Sequence, residues 1–218
     1  MTQPDLHYEQ LLWQQGKQHI AGVDEVGCGC LAGPVIAVAL VMPPHCTLIH
    51  GVRDSKQLSA RQRNQLYSLI LNQALAVGVG AGGVKEIDRI NIFNSRYLAM
   101  LRALKRLPVC DHVLLDGRDN KKVDFGAHTA IIRGDEHCYS IACASIVAKV
   151  IRDRMMQALA RHYPAYAWEK NKGYGTRTHV QSLAQHGVSP HHRRSYAPVK
   201  ACLTHHWLDI TRGVFQRG

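Results

Sequence analysis

No apolar run in the 218-residue sequence approaches the roughly 18–20 residues that span a bilayer, so no transmembrane helix is expected. The opening Met1-Thr2-Gln3-Pro4-Asp5 lacks the basic-then-apolar layout of a secretory signal, and a cytoplasmic protein with no membrane partner is expected. Disulfide-like spacing is missing as well. The seven cysteines (28, 30, 46, 110, 138, 143 and 202) make an odd set, and several sit among apolar neighbours, as Cys143 does in Ile-Ala-Cys-Ala-Ser. Reduced, partly buried thiols in a reducing cytosol follow from this. No internal repeat and no low-complexity linker divides the chain. Acids are scarce at one end: residues 149–218 hold 12 Lys and Arg against 3 Asp and Glu, a net +9, whereas residues 1–148 hold 15 against 13, a net +2. A basic last third beside a near-neutral body suits a polyanion docking on one side, although charge alone suits a merely soluble basic surface equally well.

What is present reads as alternating strands and helices. A short helix or arm reaches to about Gln15. Ala21–Val26 is a strand candidate, and the apolar run Pro34–Met42 is a buried strand paired to it. Ser59-Ala60-Arg61-Gln62 opens a helix with a capping box, and Leu66, Leu69 and Ile70 repeat at helical spacing. Ala74–Val84 is a strand candidate. Phe93, Tyr97, Leu101 and Leu104 form one stripe of a second helix ending near Pro108. Two short strands, Val113–Leu115 and Ala130–Ile132, precede a long helix marked by Ile141, Ala144, Ala148, Ile151, Met155 and Leu159. The order predicts an α/β domain with a mixed sheet.

One pattern recurs three times: an apolar strand with a carboxylate at or near its end, beside glycine. It appears in Val23-Asp24-Glu25-Val26-Gly27, in Leu115-Asp116-Gly117 and in Ile132-Arg133-Gly134-Asp135. Strand ends of α/β sheets line crevices where ligands bind. Four converging carboxylates repel one another unless cations neutralise them, and hard oxygen ligands select Mg²⁺ or Mn²⁺ over zinc. Taken singly, each acid is equally a turn residue, since Asp-Gly is a common turn pair. Adjacent residues of a regular strand face opposite ways, so Asp24 and Glu25 share a site only if Gly27 and Gly29 permit an irregular strand end. Gly27-Cys28-Gly29 with Gly33 is not a dinucleotide fingerprint, because a strand follows it and two acids precede it. Cys28 and Cys30 lack the second close Cys/His pair that a zinc set needs. His191-His192-Arg193-Arg194 reads as a solvated patch touching a phosphate backbone, and no histidine is singled out as a general base.

These residues resemble ribonuclease HII, the bacterial type 2 ribonuclease H, over nearly the whole chain. The match comprises Gly22–Gly27 with Leu31–Val35, Asp54–Ser59, Leu115–Gly117, Gly134-Asp135, Ala144–Arg154, Lys172-Gly173-Tyr174 and His192–Val199. The resemblance implies a ribonuclease H-like α/β fold, a central mixed sheet flanked by helices. It implies one domain over 1–218 with about 160–218 as a basic C-terminal helical segment. It implies a monomeric endonuclease acting on RNA–DNA hybrids and on ribonucleotide-containing duplex DNA. The cut falls 5′ of the ribonucleotide by a two-metal mechanism and leaves 3′-hydroxyl and 5′-phosphate ends. Asp24, Glu25, Asp116 and Asp135 would be the catalytic metal ligands. Lys56 would contact a phosphate, and Tyr174 would stack on the sugar after the ribonucleotide. Gly27, Cys28 and Gly29 would read the 2′-hydroxyl through their backbone. The chain departs from the family at Cys28, where the family has arginine, and at Cys30, where it has proline. Two other readings compete: a hybrid-binding protein without turnover, which intact acids argue against, and a junction resolvase, which Lys172-Gly173-Tyr174 argues against. The tail Asp209–Gly218 shows no clamp-binding pattern.

Overall fold

The structure is a computed structural model and describes residues 3–204. In chain order the elements are α1 (His7–Gln14), β1 (Ile20–Val26), β2 (Val35–Val41), α2 (Ala60–Gln73), β3 (Ala76–Gly82) and α3 (Val84–Leu104). They continue with β4 (His112–Asp116), β5 (His128–Ile131), α4 (Gly134–His137), α5 (Tyr139–His162), α6 (Trp168–Asn171), α7 (Arg177–His186) and α8 (Ala197–Leu203). The tail Asp209–Gly218 and the end of the basic segment lie outside the described residues. The described chain divides into two compact units, one of residues 3–26, 35–81 and 96–152, the other of 27–34, 82–95 and 153–204.

The first unit is built on the mixed sheet, in the order β3-β2-β1-β4-β5. β1 runs antiparallel to β2 and parallel to β4, and β4 runs parallel to β5. All seven residues of β2 are buried, which is why its sequence is continuously apolar rather than alternating. Gly22 in β1 has a packing reason: a Cβ there would lie 2.3 Å from the Ser140 carbonyl carbon, so only glycine lets the first turn of α5 lie this close. The core joins Ile20, Val38, Leu40, Leu114, Ile141 and Val147 to Leu66 and Ile70 of α2. Each such aliphatic side chain contributes about 1.5–3 kcal/mol relative to exposure. The Ser59 capping box forms as its sequence implies, with Gln62 as the reciprocal partner.

The second unit is mostly helix and loop around Leu31, Ala32, Met156, Tyr166, Trp168, Val180, Leu183 and Val199. The helix that carries the stripe Phe93, Tyr97, Leu101 and Leu104 does not run back unbroken through Asn91. Asn91 takes φ 63° and ψ 168° and its side chain caps the Asn94 amide at 3.0 Å, so a new helical segment starts there. Phe93, in its first turn, is 52% exposed, whereas Tyr97 is buried. Among the described residues no helix is long and apolar enough to cross a membrane.

Candidate active site

The acids of the first unit are placed by the sheet. Val23 stands opposite Leu115 as the last pair of the β1–β4 ladder, so Asp24 and Asp116, each one residue further, lie side by side just past its end. Asp116 in turn stands opposite Ile131, and the chain leaving β5 turns at Arg133 (φ 56°) into α4, whose first turn carries Asp135. β1 itself corrects one expectation. Its pairing with β2 is unbroken to Val26 opposite Ile36, so the strand end is regular rather than bulged, and the Glu25 carboxylate is nonetheless close enough to raise both Asp24 and Asp116. The Glu25 carboxylate accepts a hydrogen bond from Arg96 at 3.4 Å.

The remaining acids are held by neutral donors and one lysine. Asp24 accepts from the Glu25 amide at 2.7 Å and from the Ser145 hydroxyl, and Ser145 lies 3.0 Å from Ser55 across a buried Oγ–Oγ contact. Asp116 accepts from the Gly134 amide at 2.7 Å. A Cβ at 134 would come within 2.7 Å of the end of the Ile141 side chain, which would have to shift. Lys56 sits in the 3-10 turn Ser55–Gln57, where Asp54 accepts from the Lys56 amide at 3.0 Å. The Lys56 ammonium reaches Asp135 at 3.3 Å and Asp54 at 3.7 Å.

The electrostatics are those of a crowded acid cluster. Burial, then repulsion from Glu25 and Asp116, holds the Asp24 carboxyl well above its ordinary range. Burial also raises Asp116, with Glu25 adding repulsion, against the pull of the Gly134 amide. Asp135 is raised by burial despite Lys56. Lys56 is raised because attraction to Asp135 and Asp54 outweighs its own burial. Among the described residues no three Asp, Glu, His or Cys side chains are drawn into a finished metal shell. The donor set nevertheless fits a hard divalent cation. It is all oxygen, it comes from the neighbouring strands β1 and β4 and from α4, and its mutual repulsion is what such a cation relieves.

In the second unit the loop Gly27–Pro34 is pinned from behind. Arg193 is not the solvated phosphate contact that its sequence suggests. It is fully buried and donates to the carbonyls of Gly27 (2.7 Å), Cys28 (2.8 Å) and Gly33 (2.9 and 3.0 Å). A run of basic residues looks like surface, but here a loop distant in sequence supplies the acceptors that make burial tolerable. Arg194 is exposed, its amide tied to Asp88 at 3.1 Å. Cys28 is half-buried, and Gly29 is exposed with no heavy atom within 4 Å of the position a Cβ would take. Tyr174 is 39% exposed and bridges Cys30 through its backbone. Its carbonyl accepts from His179 Nδ1 at 2.9 Å. The other His179 nitrogen lies 3.0 Å from Trp168 Nε1 and 3.0 Å from His192 Nε2, while His192 Nδ1 accepts from the Ser189 amide.

Ser145, Arg96 and the His179–His192 pair carry parts of this geometry that the sequence does not announce as site residues. Ser145 lies inside an apolar helix run, a polar interruption that is the one local signal. Arg96 and His179 carry none, because their partners are distant in sequence.

The Ribonuclease HII family profile matches residues 21–199. The chain is 56% identical over 191 residues to a ribonuclease HII from Thermosynechococcus vestitus, covering 88% of this chain and 89% of that protein. It is 45% identical over 194 residues to a ribonuclease HII from Bacillus subtilis, covering 89% and 75%. Among solved structures, the ribonuclease H2 from Pyrococcus horikoshii OT3 superposes with a TM-score of 0.70 at 25% identity, covering 85% of this chain and 97% of that one.

Proposed function

As a member of the ribonuclease HII family the chain is a metal-dependent endoribonuclease acting on the RNA of RNA–DNA hybrids, and we propose that it also cuts 5′ of single ribonucleotides embedded in duplex DNA. The observation that carries this reading is the acid cluster: Asp24, Asp116 and Asp135 are all raised, and Asp24 is raised by Glu25, Asp116 and Asp135. Asp24, Glu25, Asp116 and Asp135 would hold two Mg²⁺ or Mn²⁺ ions, which would supply Lewis-acid stabilisation of the charge that develops on the phosphodiester. Lys56, with its side chain 78% exposed, offers its ammonium to a phosphate oxygen near the cut. Ser145 and the Gly134 amide keep Asp24 and Asp116 oriented. The exposed edge of Gly27-Cys28-Gly29 reads the ribose, Tyr174 stacks on the following sugar, and Arg194 contacts the phosphate backbone. The protein works in the cytoplasm as a monomer, as one ribonuclease H-like domain with a basic C-terminal segment.

A gel assay tests the reading. Duplex DNA with one embedded ribonucleotide and an all-RNA hybrid are incubated with Mg²⁺, with Mn²⁺ or with chelator. Cleavage of both, on the 5′ side of the ribonucleotide and with 3′-hydroxyl ends, is expected only with metal. Cleavage of the hybrid alone would remove the single-ribonucleotide activity, and full activity in chelator would remove the metal mechanism.

A further inference from the structure

Arg193 carries five N–H donors, and the five contacts of its guanidinium are all to oxygen: Nε and Nη2 to the Gly33 carbonyl, Nη2 to Gly27, Nη1 to Cys28 and Nη1 to the Tyr196 hydroxyl at 3.0 Å. Tyr196 in turn donates to the Cys28 carbonyl at 2.6 Å, and its ring lies 5.2 Å beneath the guanidinium. The Arg193 amide adds a bond to the Leu31 carbonyl at 2.8 Å. A planar fork this fully used holds the loop from one side only.

Peptide geometry then dictates what the other side presents. In a trans peptide the carbonyl of one residue and the N–H of the next point in opposite directions. The Gly27 and Cys28 carbonyls point at the guanidinium, so the N–H groups of Cys28 and Gly29 point away from it. Gly27 adopts φ 97°, a conformation that favours glycine, and Gly29 leaves open space outside. A cation bound to a carbonyl also polarises the amide of the same peptide and strengthens its N–H as a donor.

We propose that Arg193 is a positioning residue for ribonucleotide recognition: from behind the loop it fixes and polarises the Cys28 and Gly29 amides, which meet the ribose 2′-hydroxyl oxygen. A thiol at position 28 is compatible with this, because the recognition belongs to the backbone. The inference rests on the ribonucleotide reading given above and replaces a phosphate role for Arg193.

The test is binding with cleavage switched off. In chelator, the full-length protein is titrated with a duplex carrying one ribonucleotide and with the same duplex in all-DNA form, for the native chain, Arg193→Lys and Tyr196→Phe, each with its melting temperature. Lysine keeps the charge and loses the fork. The native chain prefers the ribonucleotide duplex, and Arg193→Lys loses about tenfold of that preference while its affinity for all-DNA duplex and the salt dependence stay unchanged. Tyr196→Phe, which removes one loop donor and keeps the ring, loses about threefold. If Arg193→Lys fails to fold, Tyr196→Phe decides alone. An unchanged preference in a folded variant overturns the inference. Equal weakening on both duplexes with a shallower salt slope also overturns it, in favour of a phosphate contact. A native chain with no preference removes the ribonucleotide reading itself, and this inference falls with it.

Discussion

In the sheet-built unit, the buried charges of Asp24 and Asp135 are carboxylates raised by burial and by neighbouring carboxylates. In the unit around Gly27–Pro34, the buried charge of Arg193 has oxygen against every N–H of its fork. The two arrangements have opposite energetics. An under-compensated charge costs stability and gains only when a counter-ion arrives, which is how a reactive centre is built. A fully hydrogen-bonded charge holds backbone in place and behaves as structure. Burial of charge alone does not mark a reacting group. What matters is whether the protein itself completes the partners.

Asp24→Asn tests that contrast hardest. Turnover should fall by about 10²–10³ or more, since an electrostatic element of the reacting centre is lost. The same change should raise the melting temperature in chelator by a few degrees, at about 2–4 °C per kcal/mol for a chain of this size. The sign follows from linkage. Asp24 has a folded pKa above its unfolded value of 3.8, so its ionisation penalises folding at neutral pH and the penalty fades as pH falls through the raised pKa. Near-normal turnover breaks the assignment, and a lower melting point breaks the contrast.

Cys28→Arg sharpens the other side. If the loop is held through its carbonyls, its side chain can change without disturbing the fold. The added guanidinium should then tighten duplex binding by about one to two powers of ten and leave the metal requirement alone. Weaker binding together with a lower melting point would mean that the loop is packed around cysteine.

The histidine pair offers a smaller effect with a defined sign. His192 Nδ1 accepts from the Ser189 amide, so its proton sits on Nε2, facing a His179 nitrogen that must itself lack one because it accepts from Trp168 Nε1 while His179 Nδ1 donates to Tyr174. Both rings are therefore neutral. Burial, then repulsion from His179, pulls His192 down to about 3 from its ordinary 6.5. A depressed folded pKa gives stability that is complete above about pH 6.5 and lost as pH falls toward 3. Between pH 6.5 and pH 5 this amounts to about 1–2 kcal/mol. Melting curves of His192→Gln over that range should be flatter than those of the native chain. Parallel curves would show that the pair titrates as exposed histidine does.

Arg194→Ala should give the smallest change, a salt slope of binding shallower by about 0.9 with no loss of melting temperature. An unchanged slope would put the whole His191–Arg194 segment off the nucleic-acid path.

Much of this was readable beforehand. The strands and helices follow from period and caps, as Ser59 with Gln62 shows, and the acids were visible because each ends an apolar run beside glycine. Three features were not. Arg193 looked like surface because its acceptors, Gly27, Cys28 and Gly33, lie about 160 residues earlier. Phe93 is exposed, although spaced one turn from buried Tyr97, because a single asparagine at positive φ restarts the helix just before it and leaves no trace in hydrophobic spacing. The regularity of β1 was hidden because neighbouring glycines advertise a bulge that its ladder with β2 does not contain.

The β1–β4 ladder also has a kinetic consequence. It is parallel and joins Ile20 to His112 and Val23 to Leu115, residues separated by most of the first unit. Such non-local pairing forms late, because loop closure costs entropy before any contact repays it. Asp24 and Asp116 therefore meet only when the sheet closes, and Asp135 joins them only through β5 and α4. A chain still emerging from the ribosome, or one partly unfolded, holds these acids far apart, and has no assembled centre with which to attack the RNA around it.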